Sequence, residues 1–148
     1  MTDNKRTVIN HLLVDLFNHI LHIEEKALKT GPYNNLSISE LHVVEAIGID
    51  QTLPMSSIAG KLDVTVGTLT VSMNNLVKKG YVIRERSEVD RRVVLIHLSS
   101  LGQDAFRHHE KFHKEMIEYT MEVLSEKESD VLVDVLSKLT DYFNKKYK

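Results

Sequence analysis

The 148-residue sequence contains no cysteine, no tryptophan and only two prolines. Without cysteine it has no disulfide, no thiol nucleophile and no thiol-based redox sensor. No apolar run approaches the roughly 18 residues of a membrane span, and the N-terminal segment has no uninterrupted apolar stretch typical of a secretion signal. The sequence also lacks a Gly-rich phosphate loop and a nucleophile motif. These absences predict a soluble cytoplasmic protein with no membrane partner, and they argue against most enzyme classes.

The formal net charge of −2 conceals an uneven distribution. Residues 55–99 contain seven lysines and arginines against four acidic residues, a net +3, whereas the remainder carries 12 against 17, a net −5. A basic centre between acidic flanks is the local charge pattern that favours phosphate binding. The apolar share of 42% is sufficient for a hydrophobic core.

Most of the chain has helical periodicity. Apolar spacing predicts a long helix over about residues 4–30, a second over 37–48 and a short one over 54–62. Two further helices are predicted to start at Ser100 and Ser125, each followed three residues later by Gln or Glu, as in a capping box. No internal repeat or long linker interrupts this order.

The segment 65–80 is predicted to be a helix with an unusual outer face. Thr65 is an N-cap candidate and Gly80 is suited to the C-terminal end. Leu69, Met73 and Leu76 fall at helical spacing and are expected to pack inward. Short polar groups and one small apolar group suit the floor of a DNA major groove. The outer face has no carboxylate and consists of Thr68, Thr70, Val71, Asn74, Asn75 and Lys78.

A β-hairpin is predicted directly after this helix, with strands over 81–86 and 93–98. Four of the six arginines lie in it, and arginine at a hairpin tip can enter a minor groove or bind phosphate. The arginines are Arg84, Arg86, Arg91 and Arg92. We expect Arg91 to enter the minor groove and Arg92 to pair with Asp90. The alternative is a solvated hairpin whose Asp90 and Glu88 neutralise the arginines.

Together these elements predict a winged helix-turn-helix, with residues 66–80 as the recognition helix. Ala59 should let the helices cross closely, and Val64 should fill the turn. Ser56, Thr65 and Lys79 complete the predicted DNA contacts. The predicted fold is mainly α with a small β wing, in a single domain over residues 1–148. Its DNA-binding part covers about 37–99, and dimerisation helices cover about 4–30 and 100–148.

The order of elements and several motifs resemble the MarR family of dimeric bacterial repressors. The motifs are Thr68-Leu69-Thr70, Leu76-Val77-Lys78-Lys79-Gly80, Asp90-Arg91-Arg92 and Leu98-Ser99. The resemblance implies a homodimer that binds a palindromic site on double-stranded DNA. Val71 departs from the family, most of which has a charged residue there, so the base preference is not transferable.

Within this family, Gly67-Thr68, Asn74-Asn75-Leu76 and Arg86-Ser87-Glu88 are similar to regulators of fatty-acid synthesis in Gram-positive lactic bacteria. That resemblance implies repression of type II fatty-acid synthesis genes, with long-chain acyl-acyl carrier protein as corepressor. Apolar stripes on the long helices could line an effector pocket, although such stripes can equally be core. The candidate pocket residues are Phe17, Ile20, Leu41, Phe106 and Phe112.

The histidines allow further interpretations. His109-Glu110-x-x-His113 is an HExxH string, which in metalloproteases places two zinc ligands and a base on one helix face. A protease would need a third ligand and a cleft that the sequence does not indicate, so we predict that the protein is not an enzyme. A regulatory zinc site is an alternative to the lipid effector, with Glu24, His42, His109 and His113 as ligand candidates. These histidines could equally be hydrogen-bonded structural residues or lie near an effector pocket, and no metal is our first expectation.

Overall fold

The computed structural model describes residues 3–147 and shows a mainly helical chain with one small sheet. The predicted fold class, mainly α with a β wing, is confirmed. Within the described residues, no helix is both long and apolar enough to cross a membrane. The elements are α1 Asp3–Thr30, α2 Ile38–Ile47, β1 Leu53–Pro54, α3 Met55–Leu62, α4 Val66–Lys78, β2 Val82–Arg86, β3 Val94–Leu98, α5 Ser100–Val123 and α6 Glu126–Tyr147.

The chain divides into two compact units. The first contains the described residues up to Phe106, and the second contains those from Arg107 onward. The second unit therefore consists of most of α5 together with α6. Its α6 begins at a capping box, because Ser125 Oγ accepts from the Glu128 amide at 3.2 Å and Glu128 Oε2 accepts from the Ser125 amide at 2.8 Å. This predicted helix start is confirmed.

The core of the first unit is formed by α2, α3, α4 and the sheet. Leu69, Met73 and Leu76 of α4 are all buried, as their helical spacing predicts. They pack in one cluster with apolar residues of the neighbouring elements. The largest fully buried side chains are Leu41, Val44, Ile47, Ile58, Met73, Leu76 and Ile96. The core thus holds α4 by one face and leaves its other face to solvent.

Two helix starts in this unit depend on serine caps. Ser37 and Glu40 form a capping box at the start of α2, with both hydrogen bonds at 3.1 Å. At α5 the cap is Ser99 and not the predicted Ser100, because the Ser99 Oγ accepts from the Gly102 amide at 3.1 Å. The same hydroxyl donates to the Gly80 carbonyl at 2.5 Å, so it connects the end of the recognition helix to the start of α5.

The sheet has three strands in the order β1-β3-β2, all antiparallel. The hairpin of β2 and β3 confirms the predicted wing, and Arg84 lies opposite Ile96 in its register. Strand β1 was not predicted. It has only two residues, one of them the amide-lacking Pro54, so it carries no alternation that a sequence pattern could reveal.

The turn between α3 and α4 is closed by the backbone. Asp63 adopts a left-handed conformation with φ of 54°, and the Val64 amide donates to the Ala59 carbonyl at 3.0 Å. Ala59 is buried, which agrees with the predicted close helix crossing. The prediction that Val64 fills the turn is wrong, since its side chain is 39% exposed and backbone hydrogen bonds close the turn instead.

Gly102 lets the first turn of α5 approach the residue that follows the recognition helix. A Cβ at this position would overlap the carbonyl oxygen of Tyr81 and would lie 3.2 Å from the Leu98 Cβ. The Ser99 amide donates to the same Tyr81 carbonyl at 3.0 Å. The backbone of Tyr81 therefore leaves no room for a side chain at position 102.

Candidate DNA-binding site

Helix α4 is held by its buried face and capped at its N-terminus. The Thr65 Oγ1 accepts from the Thr68 amide at 3.1 Å, which confirms the predicted N-cap. Gly80 follows the helix with φ of 85°, a left-handed conformation that glycine adopts without strain. The sequence signals for where this helix begins and ends are thus both realised.

The exposed face of α4 carries the predicted contact residues. Thr68, Val71, Asn74, Asn75 and Lys78 are all exposed, and 66% of Val71 is accessible to solvent. A branched apolar residue so exposed gains nothing from the core, but it can contact a thymine methyl in the major groove. No acidic residue lies in the first turn, so nothing there repels phosphate.

Thr65 and Thr70 are more restricted than the other predicted contacts. The two hydroxyls of Thr65 and Thr68 share a hydrogen bond of 2.9 Å at the helix start. Thr70 donates its hydroxyl proton to the Val66 carbonyl at 2.8 Å and is only half-exposed. Thr70 therefore points toward the cleft beside the wing and offers mainly its acceptor lone pairs and methyl group.

The two lysines at the end of the helix differ in their surroundings. Lys78 is exposed. Lys79 is turned back into the protein, where its ammonium donates to Glu40 Oε2 at 2.7 Å and to the Asn35 carbonyl at 2.6 Å. Its charge is thus largely neutralised within the fold, which makes Lys78 the stronger of the two phosphate-contact candidates.

The wing presents its arginines in three different ways. Arg92 pairs with Asp90, with 3.2 Å between Nε and Oδ1, as expected from the sequence. Arg86 donates to the Arg91 carbonyl at 2.9 Å and so braces the hairpin tip from within. Arg91 is exposed beside Val89, whose side chain is 98% exposed. The tip therefore projects Arg91 into solvent, and its minor-groove role stays a prediction.

Arg84 connects the wing to α4. Its Nη1 donates to the Asn74 Oδ1 at 2.6 Å, so a strand residue holds the amide of a helix residue on the candidate DNA face. Between the wing, α4 and the N-terminal end of α3 lies an open cleft of about 710 Å³. Ser56, Thr70, Arg84, Arg86 and Arg92 are among the residues that line this cleft. The structure thus brings Ser56 of α3 to the same surface as the recognition helix and the wing.

Comparison with known proteins identifies the fold and its family. Residues 36–94 match the model of the MarR family. Over 107 residues the sequence is 31% identical to the HTH-type transcriptional regulator SarZ of Staphylococcus saprophyticus subsp. saprophyticus, a match that covers 72% of this chain and 69% of SarZ. The chain belongs to the MarR family.

Solved structures with the same fold agree with this assignment. The structure is similar to Streptococcus pneumoniae FabT in complex with DNA, with a TM-score of 0.90, 40% sequence identity and coverage of 97% of this chain and 99% of that chain. YusO of Bacillus subtilis shares the fold at 21% identity and a TM-score of 0.74, covering 95% of this chain and 98% of that chain. The protein is therefore a DNA-binding transcriptional regulator of the MarR type and not an enzyme. The HExxH string is accordingly no protease motif in this MarR-family chain.

The predicted effector-pocket residues occupy different environments in this MarR-type fold. Leu41 is 2% exposed and belongs to the core of the first unit, and Phe106 packs against that core. Phe17 is 58% exposed and Ile20 is half-buried on α1. Phe112 lies in the second unit, where its ring stacks on His109 with 5.7 Å between centroids. Neither Phe17 nor Ile20 belongs to the buried core cluster, so a larger side chain at position 20 should disturb the core little.

The candidate metal ligands form two hydrogen-bonded pairs. In the first unit, the His42 Nε2 lies 2.6 Å from Glu24 Oε1. In the second, His109 and His113 are one turn apart on α5, and their Nε2 atoms are 2.8 Å apart. Each pair thus contains one hydrogen bond within the protein, and the choice between a structural and a metal-binding role stays open.

Two relationships in this MarR-family site were not foreseen from the sequence. They are the Arg84–Asn74 hydrogen bond and the inward turn of Lys79 toward Glu40. Neither pair is close in sequence, so no periodicity or motif could have revealed them. The sequence signal was the high arginine content of the hairpin. It does not indicate which arginine contacts α4 and which one contacts DNA.

Proposed function

We propose that this protein represses type II fatty-acid synthesis genes in the cytoplasm and binds DNA more tightly in the presence of long-chain acyl-acyl carrier protein. The observation that supports the proposal is its 40% identity to Streptococcus pneumoniae FabT over 97% of the chain. The motifs that resemble fatty-acid-synthesis regulators lie on the exposed face of α4 and in the wing. Sequence differences between MarR-type regulators on this surface should determine which operator each one binds.

In the proposed complex, α4 lies in the major groove and the wing tip in the adjacent minor groove. Thr68, Val71, Asn74 and Asn75 face the base edges, while Lys78 and the N-terminal end of α3 at Ser56 contact phosphate. Arg91 enters the minor groove, where a narrow groove concentrates negative potential. The exposure of these side chains and the absence of acidic residues from the first turn of α4 support this arrangement.

The DNA-bound form is proposed to be a homodimer on a palindromic site. Helix α1 exposes an apolar stripe that includes Leu12, Leu16 and Phe17, and α6 exposes another that includes Leu136 and Phe143. Exposed apolar stripes of this length are typical of interfaces, because leaving them in water forfeits about 25 cal/mol per Å² of burial. A twofold dimer would place two recognition helices about one duplex turn apart.

The corepressor is proposed to insert its acyl chain into apolar space beside Ile20 of α1, with Phe17 as a further candidate. Each buried methylene contributes about 0.8 kcal/mol, so a long chain can supply the roughly 1–3 kcal/mol of coupling typical of an allosteric ligand. The ligand must bind the DNA-competent state better than the relaxed state in order to raise DNA affinity. A steep dependence on chain length follows.

The test is a mobility-shift assay on a fatty-acid-synthesis promoter with acyl carrier proteins that bear short, medium and long chains. We expect the unacylated and short-chain forms to have little effect and the long-chain forms to raise affinity by roughly 5- to 150-fold. Ile20→Trp should abolish this response and leave basal DNA binding intact. Lys26→Trp, at an exposed polar position of the same helix, is the matched control and should respond like the wild type. Activation that does not depend on chain length would contradict the proposal.

A second candidate effector is zinc, favoured by the His109–His113 pair, whose ring nitrogens lie one helical turn apart at 2.8 Å. Two imidazoles on successive turns of a helix are a common part of zinc sites. Two measurements separate zinc from the lipid effector. One is the zinc content of the purified protein by elemental analysis, and the other is its DNA affinity with and without a chelator. Zinc-restored DNA binding, together with no response to acyl-acyl carrier protein, would favour the metal.

A further inference from the structure

The amide of Asn74 is oriented by the wing before any DNA is present. Arg84 Nη1 donates to the Asn74 Oδ1 at 2.6 Å. A guanidinium has five donors and no acceptor, so the atom that faces Arg84 must be the amide oxygen. The nitrogen Nδ2 is consequently the amide atom that remains free to meet a base.

This orientation limits which bases Asn74 can recognise. Asparagine reads adenine with two hydrogen bonds, in which the oxygen accepts from N6 and the nitrogen donates to N7. The oxygen keeps a second lone pair, but an adenine N6 amino group that donated to it would lie beside the positively charged Arg84 guanidinium, so the donor half of that pattern is favoured. The acceptors in the major groove are N7 and O6 of guanine, O4 of thymine and N7 of adenine, whereas cytosine presents a donor.

We propose that Arg84 is a positioning residue that converts Asn74 into a hydrogen-bond donor, so that Asn74 reads guanine in place of adenine. Guanine is favoured because it presents two neighbouring acceptors, which Asn74 Nδ2 and the remaining guanidinium donors of Arg84 can approach together. The inference rests on the proposed docking of α4 in the major groove. It differs from the adenine preference that residue type alone would suggest for an exposed asparagine on a recognition helix.

The wing contains a matched control for this role. Side chains two residues apart on a strand point to the same face, so Arg86 lies on the same face of β2 as Arg84. Arg86 donates instead to the Arg91 carbonyl at 2.9 Å, within the hairpin itself. Removing either arginine deletes one positive charge from the same exposed strand, but only Arg84 holds Asn74.

The experiment selects binding sites from a randomised DNA library with the full-length protein, which makes it independent of the regulated genes. The comparison covers the wild type, Arg84→Met, Arg86→Met, Asn74→Ala and the Arg84→Met/Asn74→Ala double variant. Thermal melting of each protein serves as the folding control. Asn74→Ala identifies the position read by this residue, and we expect guanine there in the wild type. Arg84→Met should shift preference at that position toward adenine by about tenfold. Arg86→Met should leave the preference at that position unchanged, even where its lost charge lowers overall affinity. The double variant should match Asn74→Ala.

The outcomes separate this inference from the proposed docking. If the wild type enriches no defined site, the proposed docking is wrong. If Asn74→Ala leaves the profile unchanged at every position, Asn74 reads no base and the inference falls while the docking stands. If Asn74→Ala changes the profile but Arg84→Met does not, the docking stands and the positioning role is overturned. A wild-type preference for adenine at the base position read by Asn74 would also overturn the positioning role. The same would follow if Arg84→Met changed the base preference equally with and without Asn74→Ala.

Discussion

Lys79 and Glu40, 39 residues apart in the sequence, form an ion pair with 2.7 Å between Nζ and Oε2. The carboxylate is buried and also accepts from the Ser37 amide, while the ammonium also donates to the Asn35 carbonyl. Nearby, the Tyr81 hydroxyl donates to Asn35 Oδ1 at 2.6 Å, and burial raises the pKa of that hydroxyl, so it remains neutral. This network fastens the C-terminal end of the recognition helix to the start of α2.

Replacing Lys79 by methionine should destabilise the fold. The substitution keeps most of the apolar stem but leaves the Glu40 carboxylate buried with only one remaining hydrogen bond from Ser37. Losing a hydrogen bond to a charged group typically costs about 1.5–3 kcal/mol. Urea denaturation would measure this loss against Lys78→Met, whose exposed side chain should leave stability unchanged while DNA affinity falls. Equal stability of the two variants would show that the pair is not maintained in solution.

Substitution of Gly102 by alanine should also destabilise the protein, for a steric reason. The new methyl group would collide with the Tyr81 carbonyl, and forcing such a group into a packed site costs about 1–3 kcal/mol. Gly60→Ala is the control, because nothing lies within 4 Å of a Cβ there and alanine favours the helix by about 0.8–1 kcal/mol. Thermal melting of the two variants should therefore shift in opposite directions. A stable Gly102→Ala variant would contradict the close approach of the two segments.

Arg91→Ala should weaken binding to all DNA sequences. A guanidinium bound in the minor groove displaces condensed counterions as a phosphate contact does, so its removal should reduce the slope of log affinity against log salt by about 0.9. Arg92→Ala should have a smaller effect, because Arg92 is already paired with Asp90. Affinities measured across a salt series would show the difference. If the two variants weakened binding equally, the assignment of separate roles to the wing arginines would be wrong.

Val71→Ala should reduce affinity for the specific operator more than for random DNA. The side chain is 66% exposed and makes no contribution to the core that its truncation could remove. Without the branched group facing a thymine methyl, only sites that have that thymine should bind more weakly, by about 1–3 kcal/mol at most. Competition binding with an operator in which each thymine is replaced by uracil, which lacks the methyl group, identifies the base. If the variant and the wild type respond identically to every replacement, Val71 does not read a base.

The sequence predicts the helices and the wing because each depends on local signals. The capping residues Ser37, Thr65 and Ser125 and the buried spacing of Leu69, Met73 and Leu76 all act within one or two helical turns. Relationships that depend on tertiary placement were not predictable. In the sequence, Lys79 resembles any exposed lysine at a helix end and Arg84 resembles any wing arginine, because only the fold places Glu40 and Asn74 beside them.

The hydroxyl of Ser99 has a consequence for local dynamics. It donates to the last turn after the recognition helix at Gly80 and accepts from the first turn of α5 at Gly102. Two segments that share one hydrogen-bonding atom cannot fray separately without leaving that atom unsatisfied. The end of the recognition helix and the beginning of α5 should therefore behave as one cooperative unit in amide hydrogen exchange, whereas the wing tip around Val89 exchanges on its own.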